Sequence, residues 1–168
     1  DSLTAAGSMM GSGGMIVMDD QTCMVDVARY FIAFLTEESC GKCIPCREGL
    51  RCSLDVLTRI TEGKGEDGDM ALLEEMGGVM QDACLCALES SAPNPVISTL
   101  RYFRDEYDAH VRDHRCPAGV CKALITYEID QAKWPLAKEA GASETIDPSA
   151  SDALRALLKS TGGGVIAA

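Results

Sequence analysis

The chain has 168 residues, 46% of them hydrophobic and 24% charged, a globular composition that excludes wholesale disorder. Its formal charge of −11 argues against binding to nucleic acid or to an anionic membrane surface, because phosphate groups would be repelled. No apolar run is long enough to predict membrane insertion. The nine cysteines follow no secretion signal, which favours metal ligands over disulfides and a cytoplasmic location.

The first segment, residues 1–21, is rich in Gly, Ser and Met and lacks an initiator Met, which suggests a piece of a longer chain. Residues 15–18 (Met-Ile-Val-Met) predict a short strand that pairs with sequence outside this chain or packs at an edge. Residues 11–14 are glycine-rich but lack the Lys-Ser/Thr of a phosphate-binding loop. They therefore predict a turn.

Four amphipathic helices follow, because apolar residues recur three and four positions apart. The predicted helices cover about residues 22–35, 45–61, 69–82 and 95–111. Asp19, Asp20 and Thr22 are candidate caps for the first of them. The connections are short, so the sequence predicts a mainly α fold, a small four-helix bundle over residues 22–128.

Beyond this bundle, cysteine disappears and the pattern changes. Residues 129–168 predict an α/β-like appendage, with helices at 137–142 and 153–159 and a short strand at 143–146 between them.

The densest group of cysteines lies between the first two predicted helices. Two-residue gaps separate Cys40, Cys43 and Cys46, a spacing that wraps three corners of a [4Fe-4S] cube. The fourth iron needs a distant thiolate, for which Cys86 is the preferred candidate and Cys84 the fallback. A zinc knuckle and simple buried thiols are the alternatives.

Residues beside these cysteines are expected to tune the cluster. Gly41 relieves crowding where the backbone passes close to it, and Lys42 and Arg47 add positive charge. The second helix points its positive end at the same place, and loop amides can donate hydrogen bonds to sulfur.

A second metal site is predicted further along the chain. His110, Cys116 and Cys121 are close in sequence, and Cys23 at the start of the first helix completes a Cys₃His set suited to zinc. His110 is preferred to His114 because it lies at the helix end that faces the turn. Free thiols beside a solvated histidine, or a further iron–sulfur site, remain alternatives.

Four runs of sequence that include these motifs resemble a known protein family. The matching runs are GSMMGSGG at 7–14, ESCGKCIPCREG at 38–49, LCAL at 85–88 and TLRYFR at 99–104. They resemble the flavoprotein subunit of NADH dehydrogenases, and more narrowly the C-terminal part of that subunit in bacterial NAD-linked hydrogenases and formate dehydrogenases. The resemblance extends from the first residue to about residue 128.

The resemblance implies a four-helix domain whose one [4Fe-4S] cluster is ligated by Cys40, Cys43, Cys46 and Cys86. In such proteins the cluster takes single electrons from a flavin mononucleotide (FMN) that NADH has reduced. The flavin and NADH sites lie upstream, in a domain of which residues 1–21 would be the end. The implied partners are a thioredoxin-like [2Fe-2S] subunit and a further iron–sulfur subunit. Hydrogenase-type relatives also resemble the chain at the predicted zinc ligands.

The sequence therefore predicts electron transfer through a [4Fe-4S] cluster inside an NADH:acceptor oxidoreductase, with no catalytic residue in this chain and no activity on its own. The alternative is a zinc-stapled helical interaction module without a redox role. Residues 136–165 separately resemble part of the Rossmann half of medium-chain alcohol dehydrogenases, without the glycine fingerprint that binds the cofactor.

Overall fold

A computed structural model describes residues 2–8, 11, 13–83, 85–125 and 134–139, and the chain divides into two units, residues 1–126 and 127–168. The helices of the first unit are α1 (Ser2–Ala5), α2 (Met24–Glu38), α3 (Ile44–Thr61), α4 (Asp69–Ala83), α5 (Ala87–Ser91), α6 (Asn94–Tyr102) and α7 (Arg104–Val111), followed by a 3₁₀ turn at Lys122–Leu124. The described ranges contain no strand, and the predicted mainly α fold class is confirmed.

The second unit is described at one helix, α8 (Trp134–Glu139). It begins three residues before the helix predicted at 137–142. The other predicted elements of the appendage, the strand at 143–146 and the helix at 153–159, lie outside the described residues.

The core of the first unit forms where α2, α3, α4, α6 and α7 pack together. On α3, Leu50, Leu57 and Ile60 share one face and are fully buried, as the apolar spacing predicts. On α2, Ile32 is buried as predicted, whereas Phe31 is half-buried and lines an open cavity of about 640 Å³ beside α6.

Two contacts fix the direction of α3 against α4. Gly49, in the second turn of α3, packs so closely on Met80 that an added Cβ atom would lie 2.7 Å from the Met80 sulfur. At the other end of α3, Arg59 donates two hydrogen bonds to the buried carboxylate of Asp69 in the first turn of α4. The two helices are therefore antiparallel, and the start of α3 lies beside the end of α4.

The single helix predicted over 95–111 is instead two helices, α6 and α7, which meet at Phe103. The backbone of Phe103 has φ −130° and ψ 36°, outside the helical region. Its side chain is 38% exposed and is not buried with the apolar face of the predicted helix. After the break Tyr107 is fully buried, and its hydroxyl lies 2.8 Å from that of Thr99. The hydrogen bond across the break holds α7 against α6.

The strand predicted at residues 15–18 is not formed. Met15 and Val17 are 86% and 85% exposed, and the backbone between them has no regular structure. A strand needs a neighbour to pair its N–H and C=O groups, and the described ranges supply none for this segment. Within those ranges, no helix is long and apolar enough to cross a membrane.

Candidate metal centres

The loop of three cysteines joins α2 to α3. Cys40 is exposed in the loop, Cys43 precedes the first residue of α3, and Cys46 is buried in the first turn of that helix. The side chain of Cys43 makes no capping hydrogen bond, although it occupies the position where a polar side chain would cap the helix. The first turn of α3 directs its N–H groups and the positive end of its dipole toward this loop.

Hydrogen bonds hold the loop over the start of α3. Gly41 has a φ of 71°, a left-handed conformation that glycine adopts without strain. Its N–H donates to the Ser39 hydroxyl at 3.2 Å, and Arg47 donates to its carbonyl oxygen at 2.6 Å. Arg47 also forms an ion pair with Glu48, while Lys42 is exposed. Gly41 and Arg47, two of the three residues predicted to tune the cluster, thus stabilise the conformation of the loop.

Ser39 is a functional candidate that the sequence interpretation missed. Its hydroxyl lies 3.2 Å from the sulfur of Cys46 and accepts the Gly41 N–H. A cysteine that binds iron is a thiolate, so in that state the serine must be the donor. The only signal in the sequence is its position immediately before the first cysteine of the motif.

Cys86 reaches the same end of the bundle as the loop. It lies exposed in the turn between α4 and α5, three residues past the end of α4. Because α3 and α4 are antiparallel and in contact at Gly49 and Met80, that turn lies toward the end of the bundle where α3 begins. In the part of the chain that the structure describes, the four sulfurs do not converge as the ligands of a single ion would. Cys84, the fallback ligand, lies outside the described residues.

The four cysteines at this end suit an iron–sulfur cluster in their chemistry. They offer thiol sulfur, the ligand that irons of a cubane bind, from two separate segments. The neighbouring helix start and loop amides can stabilise the negative charge of a thiolate cluster. The donor set therefore fits the predicted group.

A second cluster of ligands is buried at the other end of α2. The ligand atoms of Cys23, His110, Cys116 and Cys121 all lie within 4.8 Å of one another. The Cys23 sulfur is 3.4 Å from His110 Nε2 and 3.7 Å from the Cys121 sulfur, and the Cys121 sulfur is 3.5 Å from His110 Nε2. The structure thus brings together the four residues predicted as zinc ligands.

Local structure explains how the four ligands meet. Cys23 directly precedes α2, and His110 is in the last turn of α7. Cys116 and Cys121 flank a turn in which the Gly119 N–H donates to the Cys116 carbonyl oxygen at 3.0 Å. Residue 119 has a φ of 68°, which glycine permits. His114, the rejected alternative, is exposed.

The spacing of these atoms matches a single tetrahedral ion. Zinc binds cysteine sulfur at about 2.3 Å and histidine nitrogen at about 2.0–2.1 Å, so tetrahedral ligand atoms lie about 3.5–3.8 Å apart. The separations among the ligand atoms of Cys23, His110 and Cys121, 3.4, 3.5 and 3.7 Å, agree, and the Cys116 sulfur lies within 4.8 Å of each of them. A four-iron cube spreads its thiolates further, because each binds a different iron. The site is therefore the right size for one ion.

The histidine ring is held in the tautomer that a metal requires. His110 Nδ1 lies 2.7 Å from the backbone carbonyl oxygen of Glu106. A carbonyl can only accept, so Nδ1 carries a proton, and Nε2 is the ring nitrogen that faces the sulfurs and is available to a metal.

Charges inside the site favour a thiolate. The hydrogen bond from Cys121 lowers the pKa of Cys23 to about 4, against the opposing effect of burial. The same hydrogen bond raises the pKa of Cys121 above its ordinary range. Burial tends to lower the pKa of His110, but hydrogen bonds to Cys23 and to the Glu106 carbonyl raise it to about 9. Hydrogen bonding inside the site thus favours the thiolate form of Cys23, which is the form that binds metal.

The two sites are separated along α2. Cys23 begins this helix, and the loop that carries Cys40 follows its end. A helix of 15 residues is about 22 Å long at 1.5 Å per residue, so the two centres are at opposite ends of the bundle.

Comparison with known proteins gives the family. Residues 26–110, just over half of the chain, match the NADH-ubiquinone oxidoreductase-F iron-sulfur binding region. NADP-reducing hydrogenase subunit HndC of Solidesulfovibrio fructosivorans is 50% identical over 133 residues, which are 79% of this chain and 27% of that protein. An F-type NADH-quinone oxidoreductase subunit of Rhizobium meliloti (strain 1021) is 50% identical over 117 residues, 70% of this chain and 28% of that protein.

A solved structure gives the same answer. An NAD⁺-reducing [NiFe]-hydrogenase in the H₂-reduced state aligns with a TM-score of 0.55 and 26% identity, covering 76% of this chain and 21% of that chain. The chain spans little more than a quarter of the length of the two curated relatives. The predicted family and the predicted [4Fe-4S] cofactor are both confirmed, and this chain belongs to the family of NADH-ubiquinone oxidoreductase-F iron–sulfur binding regions.

Proposed function

We propose that this chain transfers single electrons through a [4Fe-4S] cluster held by Cys40, Cys43, Cys46 and Cys86. The observation that supports the proposal is the antiparallel contact of α3 with α4, because the cysteine loop precedes α3 and the turn containing Cys86 follows α4. When bound, such a cluster accepts and releases one electron at a time. The protein contributes the ligands, the positive helix end and the hydrogen bonds that set the potential.

The cluster functions, in this proposal, as part of a larger NADH-linked oxidoreductase. Relatives that share this region are named as hydrogenase and NADH–quinone oxidoreductase subunits. We assign FMN and NADH binding to other parts of such a protein, and we assign the next electron carrier to a partner subunit that contains iron and sulfur. The many thiols favour a reducing compartment, which we take to be the cytoplasm.

Anaerobic reconstitution with iron and sulfide tests the electron-transfer proposal. About four irons and four sulfides per chain are expected, with a brown chromophore that dithionite bleaches. NADH alone should leave the chromophore unchanged, because this chain is proposed to have no flavin site. A protein that takes up zinc but no sulfide would contradict the proposal and favour the interaction module without a redox role.

The hydrogen bond from Ser39 should raise the potential of the cluster. Reduction adds negative charge, and a donor to a ligand sulfur stabilises the more negative state. Ser39→Ala is therefore expected to lower the reduction potential by about 20–60 mV, equivalent for one electron to a hydrogen bond of about 0.5–1.5 kcal/mol. A redox titration followed by electron paramagnetic resonance measures this shift. Ser39→Thr keeps the hydroxyl and should stay near wild type; equal potentials for all three proteins would refute the role.

We also propose that Cys23, His110, Cys116 and Cys121 bind one zinc ion with a structural role. Burial of all four residues and the convergence of their ligand atoms within 4.8 Å of one another support zinc over free thiols. Because zinc has no redox chemistry, the ion would tie the segment after α7 to the start of α2 and carry no electrons. Metal analysis of the purified chain should find about one zinc in addition to the iron.

A further inference from the structure

Helix α2 begins without an oxygen cap from its own N-terminal residue. Its N-cap residue is Cys23, a weak sulfur acceptor that makes no side-chain capping hydrogen bond of ordinary geometry. Asp19, a predicted cap, is engaged earlier, where its carboxylate accepts from the Gln21 N–H at 3.2 Å and from the Thr22 hydroxyl at 3.0 Å. Helices usually have Ser, Thr, Asp or Asn at the capping position. Here that position holds a sulfur that faces the metal site.

A residue from a distant helix supplies the missing acceptor. The carboxylate of Glu106, in the first turn of α7, accepts the N–H of Met24 at 3.0 Å. Met24 is the first residue of α2 and directly follows Cys23. The negative side chain also lies where the α2 dipole is positive. Glu106 thus fixes the backbone that carries one ligand of the site.

The same residue fixes a second ligand through its backbone. The Glu106 carbonyl oxygen accepts the proton of His110 Nδ1 at 2.7 Å, which orients the ring toward the sulfurs. Two ligands from helices more than 80 positions apart in sequence are therefore held by one residue, through two different groups.

We propose that Glu106 is the positioning residue of the Cys₃His site, and this inference rests on the zinc binding proposed above. Its carboxylate fixes the position of the backbone that carries Cys23, and its carbonyl oxygen fixes the orientation of the His110 ring.

The rate of zinc release tests this inference on the full chain. Removing a group that orients metal ligands typically weakens a site by about 10- to 100-fold. Glu106→Ala is expected to release zinc to a coloured chelator at least about tenfold faster than wild type. Glu106→Gln keeps an oxygen acceptor and should stay within a few-fold of wild type. Asp105→Ala changes the neighbouring exposed carboxylate of the same helix turn and serves as the matched control.

Spectra of the cobalt-substituted protein separate positioning from general stability. A displaced ligand should change the visible bands of Co²⁺ in Glu106→Ala and leave them unchanged in Asp105→Ala, whereas a merely less stable fold would not alter the bands of the bound ion. If Glu106→Ala does not fold, Glu106→Asp is the substitute, because its shorter arm no longer reaches the Met24 N–H.

The possible outcomes are distinct. Wild-type rates and spectra in a zinc-loaded alanine or aspartate variant would overturn the role of Glu106 and leave the zinc site standing. A wild-type chain that binds no zinc would overturn both. Iron and sulfide content should be the same in every variant, because the cluster site is at the opposite end of α2.

Discussion

Replacing Cys86 by serine is expected to abolish the four-iron cluster. In the proposed ligand set, the loop before α3 and the first turn of that helix supply three thiolates, and the turn between α4 and α5 supplies the ligand of the fourth iron. A serine hydroxyl is a poor replacement for a thiolate, so reconstituted Cys86→Ser should hold no more than a small fraction of the wild-type iron and sulfide. Chemical analysis, the absorbance near 400 nm and electron paramagnetic resonance measure the loss, and Cys43→Ser should give the same result.

Cys52→Ser is the matched control for this experiment. Cys52 is on α3, two turns beyond Cys46, and its half-buried side chain packs against the core. The substitution therefore introduces the same chemical change on the same helix without removing a proposed ligand. It should retain full iron and sulfide content. Cluster loss in Cys52→Ser, or a normal cluster in Cys86→Ser, would show that the ligand assignment is wrong.

The second large effect is expected from loss of the zinc site. Cys121→Ser should lose the zinc and lower the free energy of unfolding by about 4 kcal/mol, the linkage expected when a metal is present at about a thousand times its dissociation constant. For a unit of this size that loss corresponds to a fall in Tm of about 10–20 °C. Thermal unfolding with and without a chelator measures it, and the chelator should destabilise wild type but not Cys121→Ser.

His114→Asn is the control for the zinc prediction. His114 is exposed, close in sequence to the site, and has a φ of 47°, which asparagine tolerates. It should keep its zinc and its Tm. A Cys121→Ser protein that still holds one tightly bound zinc, or that melts at the wild-type temperature, would contradict the structural role.

Spacing along the chain predicted the parts of this molecule that depend on local pattern. The apolar residues of α3 repeat with the helical period, so Leu50 and Leu57 could be assigned to the core from the sequence. The short gaps between Cys40, Cys43 and Cys46 likewise depend only on neighbours. Such features can be predicted without knowing which residues pack against them.

Features that depend on distant contacts were missed. The break at Phe103 interrupts a stripe that has the helical period on both sides, and what stabilises it is the hydrogen bond between Thr99 and Tyr107. Glu106 caps a helix that begins 82 positions earlier, and no sequence pattern links the two residues. The strand predicted at 15–18 is absent because it also depends on a distant contact. A local β pattern forms a strand only where another strand pairs with it.

Some expectations are still predictions. The domain limits at residues 22–128, the identity of the partner subunits and the link to formate dehydrogenases belong to this group. The alcohol dehydrogenase resemblance falls almost entirely on residues outside the described ranges.

Gly49 has a consequence for the proposed cluster site. With no side chain at residue 49, the backbone of α3 can rest directly on Met80 of α4. This close contact helps to set the distance between the two segments that carry the proposed cluster ligands. A larger side chain at residue 49 would push α3 and α4 apart. The distance between Cys86 and the cysteines of the loop would increase, although each helix would stay intact. The absence of a side chain at residue 49 thus limits the separation of the two segments that would bind the cluster.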